Sequence, residues 1–197
     1  MLPDIHRLIE LQKMLDSFSS IERIVHRKHK GKFRLENDTE HSYNLAMTAW
    51  FLAKWFPELD KDRLIKYALV HDLVEVHAGD TYIYGPADHI NSKAKREAKA
   101  LKKLKKDWAD FVDMVDSLEE YESRANAEAN FIYALDKIMP AMAIYINDGF
   151  SFKKHEVTTK MFYDAKVAKV SLSPEILPYF EQLHTLLLEH PEIIQRA

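Results

Sequence analysis

The chain has 197 residues, of which 47% are hydrophobic and 30% charged, with four glycines and no cysteine. That length suits one domain able to build its own core, and the composition excludes a disordered chain, a disulfide scaffold and any thiolate metal site. The net charge of −3 with histidines neutral gives no general pull toward nucleic acid or acidic membranes, and with no apolar signal core and no apolar run near the roughly 18 residues of a bilayer span, the cytoplasm is the expected address.

Apolar residues recur at helical spacing along most of the chain, which predicts an all-α fold of roughly eight or nine helices within a single domain, residues 1–197. Leu8, Leu11 and Leu15 mark a first helix ending near Ser17–Ser20. A short helix is expected over Ile21–Val25, then a polar, basic loop from His26 to Asp38. Asp38 or Thr39 can cap the next helix, which carries Leu45, Ala46, Ala49 and Leu52 and stops before Pro57. Asp60 is a good N-cap for a helix with Leu64, Ile65, Ala68, Leu69 and Leu73 on its buried stripe, and Gly79 is placed to end it in the left-handed conformation.

Thr81 to Ile90, with Gly85 and Pro86, reads as a loop. Asn91 can cap a basic helix through Lys106, and an acidic helix follows from Trp108 to Tyr121. A long helix is expected from about Asn126 to Ile146, kinked or broken at Pro140. Glu156–Val170 and Pro174–Glu189 complete the chain, the second started by a proline suited to a first turn.

Chemistry concentrates at three places. His71-Asp72-Leu73-Val74-Glu75 puts three ionisable groups into a helix whose other members are apolar. Burying them unpaired costs several kcal/mol, on the order of a lost ion pair, so a cleft or a partner is required. At helical spacing His71 and Glu75 share a face, with Asp72 beside them. Glu40-His41 opens the preceding helix, and antiparallel packing of the two helices brings His41 level with His71. Asp136 stands alone in the apolar run Phe131–Met139 and needs a counter-charge. Two imidazoles and two carboxylates suit one divalent transition ion, Mn²⁺, Fe²⁺, Co²⁺, Ni²⁺ or Zn²⁺, better than Ca²⁺.

The ordered set Glu40-His41-Ser42, His71-Asp72, Glu75, Gly79-Asp80 and Asp136-Lys137 resembles the HD-domain metal-dependent phosphohydrolases. The extended stretch from His71 to Thr81 is similar in particular to the HD-domain 5′-deoxynucleotidases. The motif-bearing part runs from about residue 21 to residue 142. The resemblance implies that His41, His71, Asp72 and Asp136 hold the metal, that Glu75 orients or deprotonates the attacking water, and that Asp80 contacts the sugar of a nucleotide. It implies a phosphate-binding arginine upstream of His41, for which Arg27 is the first candidate, with Arg23 and Arg34 as rivals. Family members often follow that arginine with a tryptophan. Here Lys28-His29-Lys30-Gly31-Lys32-Phe33 follows Arg27, and Phe33 is the residue available to pack on a nucleoside. The resemblance also implies a homodimer.

The expected reaction is release of phosphate from a (deoxy)nucleoside 5′-monophosphate by metal-activated water. An HD hydrolase of a pyrophosphate or signalling nucleotide is the alternative suggested by the basic Arg27–Arg34 stretch. A non-catalytic helical protein binding nucleic acid through Lys93–Lys106 is the other. An apolar stripe of Ala94, Ala98, Leu101, Leu104 and Trp108 runs through that basic segment, so a solvated helix face is the simpler reading. Trp50 and Trp55 read as packing residues, and Tyr133, Tyr145, Phe162 and Tyr163 as core or dimer contacts.

Overall fold

The computed structural model describes residues 2–81 and 87–196. It is helical apart from one hairpin. Helix α1 covers Ile5–Ser19, strands β1 and β2 cover Glu22–His29 and Lys32–Asn37, and α2 covers Asp38–Leu52 with a 3₁₀ turn at Ala53–Trp55. The order continues with α3 Lys61–Val70, α4 Glu75–Ala78, α5 Ala87–Asp107 and α6 Val112–Ser123. It ends with α7 Ala127–Tyr145, α8 Phe150–Lys154, α9 Thr159–Val170 and α10 Leu177–Glu189.

The hairpin replaces both the short helix expected over Ile21–Val25 and the loop expected over His26–Asp38. Ile24 and Val25 are β-branched and favour extended backbone. Lys30 and Gly31 both take positive φ (48° and 79°), the two-residue turn whose twist matches a hairpin. His29 pairs with Lys32 across it, and an irregularity between Arg23 and His26 shifts the register. β1 packs on α7 and α8. The Asn147 side-chain oxygen accepts from the Lys28 backbone N–H at 2.6 Å, and Ser151 Oγ accepts from that of His26 at 2.8 Å.

Capping sets the other boundaries. Neither Asp38 nor Thr39 caps α2. Asn37 does, in a reciprocal box with Glu40. Asp60 caps α3 as expected and Asn126 caps α7. α7 continues through Pro140 without ending. α5 begins at Ala87, ahead of Asn91. Residues 82–86 of the expected 81–90 loop, Gly85 and Pro86 included, lie outside the described residues. The last two helices start later than expected, α9 after a Thr158 cap and α10 with Pro178 rather than Pro174 in its first turn.

The larger core cluster joins α2, α3, α7, α9 and α10 through Leu45, Leu64, Phe131, Leu135, Phe162, Phe180 and Leu187. A second cluster joins α1, α5 and α6 through Phe18, Leu104, Trp108 and Leu118, with Val70, Leu73 and Val74 at its edge. The buried line is Ala100 and Leu104 on α5 and Trp108 just after it, whereas Ala94 and Ala98 are exposed. That rotation turns Lys93 inward. Trp50 and Trp55 are not packing residues. They are 54% and 52% exposed, and Trp50 joins Tyr43, Met47 and Phe51 on an apolar outer face of α2.

Candidate metal centre and active-site cavity

His41, His71, Asp72 and Asp136 meet, although they come from α2, the end of α3 and the middle of α7. One donor atom from each lies within 4.8 Å of the others. His41 Nε2 is 2.9 Å from Asp136 Oδ1. His71 Nε2 is 2.9 Å from Asp72 Oδ2 and 3.8 Å from Asp136 Oδ1. The two imidazole rings are 5.3 Å apart, and both histidines are buried.

Local structure explains how each donor arrives. α2 starts immediately after its Asn37–Glu40 box, so His41 sits in the first turn facing inward. α3 does not run on as a regular helix. After Val70 the backbone tightens into i→i+3 bonds, Leu73 N–H to the Val70 carbonyl at 3.0 Å and Glu75 N–H to that of Asp72 at 2.8 Å. Residues three apart eclipse in that geometry. Glu75 therefore stands with Asp72 and Asp38, whose oxygens form a second close group. Gly79 then takes φ 73° and ψ 154°. The positive φ was expected, but this is an extended turn open essentially to glycine, not the left-handed helical cap.

These donors fit a divalent cation. The Nδ1–H of His71 donates to the Ala68 carbonyl at 2.9 Å, which turns Nε2 toward Asp72 and Asp136. That buried nitrogen has no hydrogen bond of good geometry, despite its closeness to Asp72. A backbone-oriented imidazole with its other nitrogen turned to the remaining donors is how histidine ligands are held. Burial works against the carboxylates of Asp72 and Asp136. His71 and Arg23 outweigh it at Asp72, and Lys137 and His41 at Asp136, so both stay well below the usual carboxylate range. Burial and then Arg23 pull His41 down toward the neutral form a metal needs.

The cluster opens into a cavity of about 270 Å³. Glu75 and Asp80 line it. Burial, followed by Asp72, Asp80 and Asp38, pushes the Glu75 carboxyl up to about 11. Asp80 Oδ1 accepts from the Thr81 backbone N–H at 2.7 Å.

The arginine in this cavity is Arg23, not Arg27. Its Nη1 is 2.7 Å from Asp72 Oδ2 and 3.0 Å from Asp38 Oδ1, and its Nη2 is 4.0 Å from Asp136 Oδ1. Arg27, four residues along the strand, turns to the buried Glu36. Arg34 pairs with Glu40 at the surface. Phe33 does not line the cavity either. It stacks on Phe150 with ring centroids 4.0 Å apart, and among the described residues the phenyl rings lining the cavity are those of Phe152 and Phe162. Sequence reasoning missed Glu36 and Asp38, two fully buried carboxylates that brace Arg23. Their alternation in Glu36-Asn37-Asp38 was the available signal, hidden by reading the segment as loop. It also missed Lys166 and Lys169, which carry no motif.

A helical frame thus holds a His–His–Asp–Asp cluster over a charged cavity. The chain belongs to the HD-domain family, whose model matches residues 20–177. Among similar proteins are 5′-deoxynucleotidase HDDC2 of Mus musculus and of Homo sapiens, each 30% identical over 154 residues. These alignments cover 76% of this chain and 73% and 72% of the relatives. A solved structure described as a predicted metal-dependent phosphohydrolase, from Magnetospirillum magnetotacticum MS-1, superposes with a TM-score of 0.76 at 28% identity. It spans 98% of this chain and 100% of that one. The PH0347 protein of Pyrococcus horikoshii OT3 shares the fold, with a TM-score of 0.63 at 21% identity over 91% of this chain and 97% of that one.

Proposed function

We propose that this protein is a metal-dependent 5′-nucleotidase that hydrolyses the phosphate ester of a (deoxy)nucleoside 5′-monophosphate. The observation that carries the reading is the meeting of His41, His71, Asp72 and Asp136, with the Nε2 of His71 buried and without a hydrogen bond. These four are the metal ligands. A divalent ion bound there supplies Lewis acidity and makes a water molecule acidic enough to attack at neutral pH. A transition ion such as Mn²⁺, Co²⁺, Fe²⁺, Ni²⁺ or Zn²⁺ suits two imidazoles and two carboxylates.

The chain's own groups do the rest. Glu75, beside Asp72, accepts the proton of the attacking water once positive charge nearby offsets the carboxylates that hold it protonated. Arg23 is the phosphate ligand of this reading, because its guanidinium is braced by Asp38 and Glu36 and faces the cluster. Asp80 at the cavity wall accepts from a sugar hydroxyl. Water attacks phosphorus in line with the leaving oxygen, giving a nucleoside and inorganic phosphate.

The whole of residues 1–197 acts as one domain in this reading, since α9 and α10 contribute Phe162, Phe180 and Leu187 to the same core as α2 and α7. The exposed apolar face of α2 supports a homodimer, testable by sedimentation equilibrium. A cytoplasmic location is supported by the absence of cysteine and by the fact that no helix among the described residues is long and apolar enough to cross a membrane.

Metal analysis of protein purified without chelator, followed by a phosphate-release screen over nucleoside monophosphates, tests the proposal. About one equivalent of a transition ion is expected, with release lost in Asp72→Ala and Arg23→Ala. Absence of release from every phosphate ester would remove the reading.

A further inference from the structure

The cavity has a second charged wall. Lys93 from α5, Lys137 from α7, and Lys166 and Lys169 from α9 line it together with Arg23. Two of the four lysines have carboxylate partners, Lys137 on Asp136 and Lys93 on Glu97 at 3.2 Å. Lys166 and Lys169 form no ion pair or side-chain hydrogen bond among the described residues, yet both are partly buried. They lie three apart on one helix, so their ammonium groups share a face. Burial and then Lys137 pull the Lys166 ammonium down to about 7, and the same two causes lower Lys169. By contrast Lys160, earlier on α9, points out to Asp164.

Two lysines held beside a third cation with no ion-pair partner of their own is a costly arrangement that an anion would relieve. Among the described cations that line the cavity, Arg23, Lys137 and Lys93 have carboxylate partners in Asp72 and Asp38, Asp136, and Glu97, which leaves Lys166 and Lys169 as the pair available to a ligand. The basic stretch Arg27–Arg34 offers no such pair of arginines, because both are engaged by Glu36 and Glu40.

We propose that Lys166 and Lys169 form a second anion subsite, so that this chain's substrate is a nucleotide carrying a second phosphoryl group besides the one it releases. The inference rests on the phosphohydrolase reading for its chemistry. Water adds to one phosphorus, that P–O bond breaks, the leaving oxygen takes a proton, and the second phosphoryl group is unchanged. That group has two sources, a 3′-phosphate or the second phosphate of a 5′-diphosphate.

The test uses the full chain, with KM measured in Mn²⁺ for a deoxynucleoside 5′-monophosphate, its 3′,5′-bisphosphate and its 5′-diphosphate. One of the two doubly phosphorylated substrates should have a KM about tenfold below the monophosphate, as one added charge-assisted contact would give. The one that does identifies the source. In Lys166→Met/Lys169→Met that ratio should collapse toward one, and in Lys166→Arg/Lys169→Arg it should persist. Calorimetric binding of the same three ligands in chelator supplies a readout that does not need turnover. Preferential binding without phosphate release would retain the subsite and sink the phosphohydrolase reading. Equal binding of all three ligands, or a preference that survives the double Met variant, would overturn the subsite.

Discussion

Replacing Lys166 by Met keeps an unbranched side chain and removes the ammonium. In the folded protein that group titrates at about 7 instead of 10.5, through burial first, then Lys137, with Asp136 opposing and Lys169 and Arg23 adding. Lys93, Asp72, Glu75 and His155 line the same cavity. Such a displacement corresponds to about 5 kcal/mol at roughly 1.36 kcal/mol per pH unit. Lys166 keeps some contact with solvent, and screening reduces the expectation to about 2 kcal/mol. The sign is that of a base depressed by folding. The folded chain prefers the neutral amine, so the charged form costs stability in full below about 7, and the cost fades as pH rises toward 10.5. Lys166→Met should therefore be more stable than the parent by about 2 kcal/mol near neutrality, about 4–8 °C in Tm for a chain of this size. Near about pH 9.5 the gain should fall below about 1 kcal/mol. Urea denaturation at the two pH values, in a buffer free of phosphate, measures both. Added pyrophosphate should narrow the gap by stabilising the parent selectively. A gain equal at the two pH values, or a loss of stability, would refute the reasoning.

Four further outcomes are expected. Glu36→Ala strips the buried partner from Arg27 and Arg23 and should cost about 3 kcal/mol in denaturant unfolding. Gly149 has φ 68°, and a Cβ there would collide with the Ile193 backbone; Gly149→Ala should lower stability by about 2–4 kcal/mol in the same assay. Phe33→Ala should cost about 1–2 kcal/mol through the lost stack on Phe150 and leave the KM for nucleotide unchanged; a large rise in KM would return Phe33 to the substrate site. Chelation should lower Tm, since an ion at about a hundred times its Kd contributes about 2.7 kcal/mol to the folded state, and Asp136→Asn should be insensitive to the chelator.

Much of the frame was legible because it rests on local rules. Asp60 caps α3, the α7 run spans its expected range, and the ligand residues stand out as charges at apolar positions. The hairpin was not legible in the same way. Its residues are mostly charged, and the burial of Val25, His26 and Glu36 comes from contact with α7 and α8 rather than from an alternating pattern. Its local signals were the β-branched Ile24-Val25 pair and the Lys30-Gly31 turn. Glu75 stands out in the sequence as a charge at an apolar position, but its grouping with Asp38 was not legible, because periodicity cannot register a tightening from i→i+4 to i→i+3 bonding over four residues.

The sequence by itself determined which chemistry was available: two histidines and two aspartates in a fixed order, no thiolate, and helices spaced so that Glu40-His41 and His71-Asp72 begin and end adjacent elements. Only the tertiary structure decided which cation joins them. Arg23 and Arg27 share one strand of a hairpin with an irregular register, so which of them faces the cluster depends on the pairing and not on residue type. It also decided that α9 brings two lysines to the cavity, since a helix with no motif reveals its function only through what it packs against. Local propensities act over a few residues, whereas side chains more than a hundred positions apart meet only after the core has packed.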